Sequence, residues 1–285
     1  MRYRICHRTH YAYQEPVTLQ SHVLRLRPRS DAGQQVLSFN LKVDPDPLRQ
    51  ADLVETDGNQ TMRLWFAPAP TRCLTVEVQS EVITNRANPF DYLAEPWAVH
   101  LPIDYPIALA TSLKPYLQAA DKLALAPLII DLAEDILHAV EGNVGFFLTT
   151  LNQRIYETCQ YRARTTGPPW PPGITWGKKA GSCRDFTVLF MAVCRAVGLA
   201  ARFVSGYEEG DSRIPDRDLH AWAEVYIPGG GWRGFDPTHG LAVSDRHVAL
   251  VASPFPRETA PIQGSTVEGG QIKSSLETEV RVRVL

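Results

Sequence analysis

Gly181-Ser182-Cys183-Arg184-Asp185-Phe186 opens a run to Val197 in which Phe186, Leu189, Phe190, Val193 and Val197 recur at helical spacing. Ser182 with Asp185 gives the run a capping-box start, and Gly198 gives it a stop. A helix with one apolar face needs a surface to bury it against. Three stretches supply that surface. Ala201 to Tyr207, His220 to Ile227 and Trp232 to Asp236 read as strands, and Pro228-Gly229-Gly230-Gly231 joins the last two as a hairpin. A helix packed on an antiparallel sheet is an α+β pattern.

Working outward, Leu128 to Val140 carries apolar residues at 128, 129, 132, 136, 137 and 140, a helical stripe, and Leu151 to Cys159 continues as a second helix. Pro168-Pro169-Trp170-Pro171-Pro172-Gly173 forces a loop, because each proline fixes its own φ and restrains its predecessor. Before Asn88 the pattern is one of short strands. Tyr3 to His7, His22 to Leu26, Leu37 to Val43 and Leu74 to Val78 alternate, with Pro28, Pro45, Pro47 and the turn Asp57-Gly58-Asn59 between them. The expected organisation is an N-terminal antiparallel β-sandwich at 1–88, a proline-punctuated connecting segment at 89–126, and a catalytic part at 127–285. The last alternating stretch, Glu277 to Leu285, is grouped with the catalytic part.

Composition excludes several classes. With 29 basic and 31 acidic residues spread along 285 positions, the chain has no basic block to neutralise phosphates, so nucleic acid is not expected as a partner. The N-terminus is polar where a signal peptide would be apolar, and a cytoplasmic location is expected. The most apolar stretch, Leu123 to Ala133, is too short for a bilayer and contains Pro127 and Asp131, so no membrane segment is expected. The five cysteines are odd in number and lack C-x-x-C spacing, which argues against a disulfide framework and against a cysteine zinc site. Cys6, Cys73, Cys159 and Cys194 are assigned to packing.

Cys183 differs from them by position. Free N–H groups and the positive end of a helix dipole favour a thiolate and can hold an oxyanion beside it, and the small Gly181 and Ser182 leave room for a substrate carbonyl. Alone, Cys183 would read as a packing cysteine, His220 as a satisfied histidine and Asp236 as a turn carboxylate before Pro237. Together they divide the work of acyl transfer: a thiolate attacks, an imidazole moves the proton, and a carboxylate fixes the imidazole tautomer. The parity of the hairpin supports this grouping. His220 and Asp236 are an even number of residues apart, so an odd-numbered loop such as Pro228 to Gly230 makes them diagonal neighbours on one face, roughly 7–8 Å apart. Cys183 is then expected from a helix packed over that same face.

These residues resemble the transglutaminase-like core of bacterial proteins and the wider papain-like superfamily. The matching blocks are Gly181 to Phe186; Gly198 to Tyr207; and His220-Ala221-Trp222-Ala223-Glu224-Val225-Tyr226-Ile227 through Gly231-Trp232-Arg233-Gly234-Phe235-Asp236-Pro237-Thr238. The N-terminal part resembles the β-domain that precedes this core, through His7 to Tyr13, Leu24 to Arg29 and Asp57-Gly58-Asn59. The resemblance implies a papain-like core and a triad of Cys183, His220 and Asp236 that forms a thioester with a peptide or protein substrate, the acyl acceptor being water or an amine. One departure is visible: Arg246 to Phe255 begins like the family but is not followed by Gly-Arg-Asp-Tyr.

No cofactor or metal is implied. A zinc hydrolase built on His220, His239 and His247 lacks any H-E-x-x-H spacing. Calcium would need a D-x-D-x-D-G pattern, and Glu208-Glu209-Gly210-Asp211 and Asp216-Arg217-Asp218 read as solvated loop charges. A non-catalytic binding module is the other alternative, and the presence of all three triad residues argues against it. Trp176 is a candidate oxyanion donor. Trp222 and Trp232 wall the cleft or pack across the hairpin, and Arg184 and Asp185 are assigned to an ion pair or helix cap.

Overall fold

The computed structural model describes residues 1–118, 126–164, 167–210, 218–269 and 272–285. The start of the apolar stretch from Leu123, and the loop charges Asp211, Asp216 and Arg217, lie outside the described residues.

The strands and helices follow in chain order. First come β1 (Arg2–Thr18), β2 (His22–Leu24), β3 (Gln34–Asp44), β4 (Arg49–Val54), β5 (Gln60–Trp65) and β6 (Pro70–Thr84). Next are α1 (Ile107–Leu117), α2 (Pro127–Ala139), α3 (Val144–Thr158), β7 (Gln160–Tyr161), α4 (Pro172–Lys178), β8 (Ala180–Gly181) and α5 (Cys183–Ala196). The chain closes with β9 (Ala201–Glu208), β10 (His220–Ile227), β11 (Gly231–Asp236), β12 (Leu241–Ala242), β13 (His247–Ser253), β14 (Ile262–Gln263) and β15 (Ser274–Val284). The fold is mixed α and β, with mostly antiparallel sheets.

The N-terminal strands build two sheets, ordered β15-β1-β6-β3 and β14-β2-β5-β4. In β1, Tyr3, Ile5, His7 and Thr9 point inward while Arg2, Arg4 and Arg8 face water, the alternation that pleating imposes. Tyr3, Ile5, Val76 and Val78 from one sheet share an apolar core with Leu24 and Leu64 from the other. Here the sequence-based grouping needs a correction. β15 does not belong with the catalytic part; it runs antiparallel to β1, from Tyr3 opposite Val284 to Tyr13 opposite Ser274, and β14 joins β2. Alternation in Glu277 to Leu285 identifies a strand, but it carries no information about which edge that strand will pair with.

The expected connecting segment also contains a helix, α1. Its prolines obscure it: Pro106 is the N-cap and Pro115 stands inside the last turn. Elsewhere the helical stripes hold, with α2 starting one residue before the predicted stripe. α3 begins earlier than expected, at Val144, where the Asn143 side chain accepts the Phe146 N–H.

α5 lies on the five-stranded sheet β12-β11-β10-β9-β13. Phe186, Leu189, Phe190 and Val193 pack with Ala221, Ala223, Val225, Ile227 and Phe235, and the Phe190 and Phe235 rings stack with centroids 5.6 Å apart. Truncating one such buried phenylalanine to alanine typically costs about 3–5 kcal/mol. Trp222, of opposite parity in β10, packs instead with Val204 and Ala252 on the other face of the sheet.

β13 is the last strand of this sheet, and its free edge is closed by side chains of the N-terminal part. The Gln34 amide donates to the Ala249 carbonyl at 2.9 Å and accepts the Ala249 N–H at 2.7 Å. Asn59 does the same for Ala252, at 2.9 Å in both directions. Each amide presents one donor and one acceptor, as the next strand would, so two buried side chains stand in for a strand.

Candidate active site

The geometry around Cys183 starts with Asp185, which is fully buried. Its Oδ2 accepts both the Ser182 N–H and the Ser182 hydroxyl at 2.8 Å. Its Oδ1 accepts the Trp170 N–H at 2.6 Å and Arg164 Nη2 at 2.8 Å. Asp185 thus fixes the first turn of α5 and ties the proline-rich loop to it. The ion pair expected near Asp185 exists, but its partner is Arg164. Arg184 instead donates to the carbonyls of Gly167 and Arg164. Gly181 has a role beyond substrate access: a Cβ there would stand 2.8 Å from the Asp185 Cβ. Only glycine lets the carboxylate fold back under the helix start.

His220 opens β10 and Asp236 closes β11. Ala223 faces Phe235 and Ile227 faces Gly231, which leaves Pro228, Gly229 and Gly230 as the loop. Continuing that register sets Asp236 opposite Trp222, so His220 is its diagonal neighbour on the same face. The gap closes through side chains, with His220 Nε2 2.7 Å from Asp236 Oδ2. Cys183 adjoins His220, close enough for the thiol to help raise the imidazole pKa. With Nε2 engaged by Asp236, Nδ1 is the nitrogen left for the thiol. The structure brings Cys183, His220 and Asp236 together.

The approach of Cys183 differs from expectation. His220, Trp222 and Asp236 lie on the sheet face away from the α5 core, which takes the other parity of β10. The helix does not cover their face. Only its first residue, at the open end of β10, reaches the imidazole. Cys183 is 8% exposed, and it belongs to the α5 core while also adjoining His220.

Electrostatics couple the pair. Burial alone favours a neutral His220, but the Asp236 charge and hydrogen bond, with the Cys183 contact, hold its pKa well above the ordinary value. Burial also opposes ionisation of Asp236, and it is outweighed by the His220 charge and by hydrogen bonds from His220 and His247, so this carboxyl stays well below the usual range. The Thr238 N–H supplies a further bond, 2.9 Å from Oδ1.

His247 is the residue that sequence reasoning missed as part of this group. It is buried on β13, and its Nε2 stands 3.2 Å from the same Asp236 oxygen that bonds His220. Its chain position gave no signal beyond a nearby histidine. His239 lies at the rim, its Nε2 2.9 Å from Glu208 Oε2. That bond raises the His239 pKa, and His239 together with the His220 charge lowers that of Glu208 against its burial.

The three tryptophans differ in their surroundings. Trp176, on α4, is half-buried against the α5 core with the Lys179 ammonium over its ring. Trp222 is 1% exposed, so it forms a floor beneath the site and not a wall of an open cleft. Its ring occupies the space above Gly206, where a Cβ would approach Trp222 Cη2 to 2.5 Å. Trp232 packs across the hairpin on Tyr226.

Comparisons with known proteins agree with this architecture. Residues 3–83 match the bacterial transglutaminase-like N-terminal region, and residues 131–237 match the transglutaminase-like superfamily. An uncharacterised protein of Mycobacterium bovis is 30% identical over 283 residues, covering 92% of this chain and 87% of its own. A protein-glutamine gamma-glutamyltransferase of Pseudomonas aeruginosa is 31% identical over 84 residues, 27% of this chain and 13% of its own. The crystal structure of a candidate cysteine protease from Cytophaga hutchinsonii superposes with a TM-score of 0.77 at 21% identity, covering 100% of this chain and 91% of the other. Within the helices described, none is long and apolar enough to cross a membrane. The chain belongs to the transglutaminase-like superfamily, with the bacterial transglutaminase-like N-terminal region preceding its core.

Proposed function

We propose that this chain hydrolyses amide bonds of a peptide or protein substrate through a thioester on Cys183. The observation that carries the reading is the His220–Asp236 hydrogen bond of 2.7 Å with Cys183, at the start of α5, beside the same imidazole. In the first half-reaction the Cys183 sulfur adds to the acyl carbon, and His220 Nδ1 gives its proton to the leaving amine as the carbon–nitrogen bond breaks. In the second, water adds to the thioester carbon, His220 takes its proton, and the thiolate leaves. Asp236 keeps the imidazole in one orientation throughout. Backbone N–H groups at the start of α5 face the place where the oxyanion forms.

The arrangement is read as papain-like: a nucleophile helix on an antiparallel sheet, preceded by a β-sandwich that braces it. Five free cysteines support a reducing compartment, the cytoplasm. Amine transfer is the second reading, favoured by the block shared with the Pseudomonas aeruginosa glutamyltransferase. Mass spectrometry of the products from a peptide library, with and without a primary amine, separates the two. Free acids in both samples support hydrolysis, amine adducts in the second support transfer, and an unchanged library rejects both.

A further inference from the structure

Four side chains meet on the outer side of His220: Glu208 from the end of β9, His220 itself, Asp236 from the end of β11, and His239 from the turn before β12. One potential ligand atom from each lies within 4.8 Å of all the others. His220 Nε2 is 2.7 Å from Asp236 Oδ2 and 3.8 Å from Glu208 Oε2, and His239 Nε2 is 2.9 Å from Glu208 Oε2. Tetrahedral zinc, with bonds of about 2.0–2.1 Å, separates its ligand atoms by about 3.3 Å. The observed distances bracket that figure.

We propose that Glu208, His220, Asp236 and His239 form a zinc site that switches the enzyme off when filled. Two imidazoles and two carboxylates are a ligand set for zinc, whereas calcium and magnesium prefer oxygen alone. The two carboxylates balance the charge of the ion, and the His239 side chain, 43% exposed, opens a path from solvent. Binding takes the Nε2 lone pair of His220, displacing the Nε2 proton to water, and engages the Asp236 oxygen. The imidazole then loses the carboxylate that orients it, and with it the capacity to cycle a proton. Cys183 is not a ligand, because its sulfur is not among the atoms that cluster here. Binding stands on geometry alone, while the inhibition rests on the reading of His220 as the catalytic base.

The test separates the two. Calorimetry with zinc chloride on the Cys183→Ala protein, which has no thiol at the site, reads binding without catalysis. One zinc per chain is expected, with affinity weakened about tenfold or more in Cys183→Ala/His239→Ala and in Cys183→Ala/Glu208→Gln. In the wild-type chain, saturating zinc should slow amide hydrolysis at least about tenfold, with the sensitivity lost in His239→Ala. Absence of binding to Cys183→Ala, or binding indifferent to His239, overturns the site. Binding with the expected ligand dependence but no effect on hydrolysis overturns the switch. If the wild-type chain proves to have no amidase activity, the calorimetry still decides the site.

Discussion

His247 and His220 hydrogen-bond the same oxygen of Asp236, at 3.2 Å and 2.7 Å. The carboxylate at the end of β11 is therefore held by side chains from two other strands of the sheet, β10 and β13. Of the two histidines, His220 is the one that adjoins Cys183. His247 acts as a positioning residue: it takes up part of the lone-pair capacity of a wholly buried anion and restricts where the carboxylate can swing.

The first prediction follows from that division. His247→Ala should lower kcat about tenfold with little change in KM, because it loosens an orienting group without touching the substrate. His247→Gln, which keeps a side-chain N–H in the region, should recover part of the loss. Steady-state kinetics on both variants checks this, and equal defects in the two would indicate a purely structural role.

The second concerns the thiols. Burial raises the pKa of Cys159 to about 11 and pushes Cys194, sealed in the α5 core, still higher. Neither should alkylate at neutral pH. Cys183, beside His220 at a helix start, should be the first cysteine modified by brief iodoacetamide exposure, ahead of the half-buried Cys6 and Cys73. Mass mapping reads the order, and His220→Ala should slow labelling of Cys183 about tenfold or more.

Much of this site was legible in the sequence, and the parts that were not share a physical cause. Capping at Ser182 and Asp185, and parity across the hairpin, are local properties, so helix start and register could be read from spacing. Parity gave one face for His220 and Asp236 but not which face meets α5. Small Ala221 and Ala223 admit the helix, whereas Trp222 needs the room above Gly206 on the far side. β13 escaped notice because it is buried on both faces and carries an irregularity between Ala249 and Val251, which erases alternation. Asn59 looked like a turn residue. Its pairing with Ala252 spans most of the chain, and no local pattern encodes such a contact.

A third prediction concerns acid stability. His7 is buried, with one nitrogen 2.9 Å from the Tyr207 hydroxyl and the other 3.0 Å from Thr9 Oγ1, and burial lowers its pKa to about 4. Between the ordinary value of 6.5 and about 4, the unfolded chain binds a proton that the native ring refuses. Stability from this group is complete above 6.5 and declines as pH falls through that window, by roughly 3 kcal/mol in all. His22, also lowered by burial, adds in the same direction. Urea midpoints should fall between pH 7 and pH 4.5, and His7→Gln should reduce the fall. At pH 7, alanine at His7, His10 or His22 should leave acylation within about tenfold in any variant that folds. A thousandfold loss would place a catalytic group in the N-terminal sheets.

The fourth joins the two halves of the molecule. Asn59 pairs with both peptide groups of Ala252, and β13 also carries His247. Replacing Asn59 by alanine strands a buried N–H and a buried carbonyl, at a cost of about 1–3 kcal/mol. If the N-terminal sheets only add stability, Asn59→Ala should lower the urea midpoint and leave kcat of the folded fraction unchanged. If they hold β13 in register for His247, kcat should fall as well. The damage should then be no greater in Asn59→Ala/His247→Ala than in His247→Ala alone, because both changes act on one Asp236 oxygen. A double-mutant cycle on kcat separates these outcomes: a coupling of about 1 kcal/mol identifies the brace as part of the catalytic geometry, and simple additivity confines it to stability.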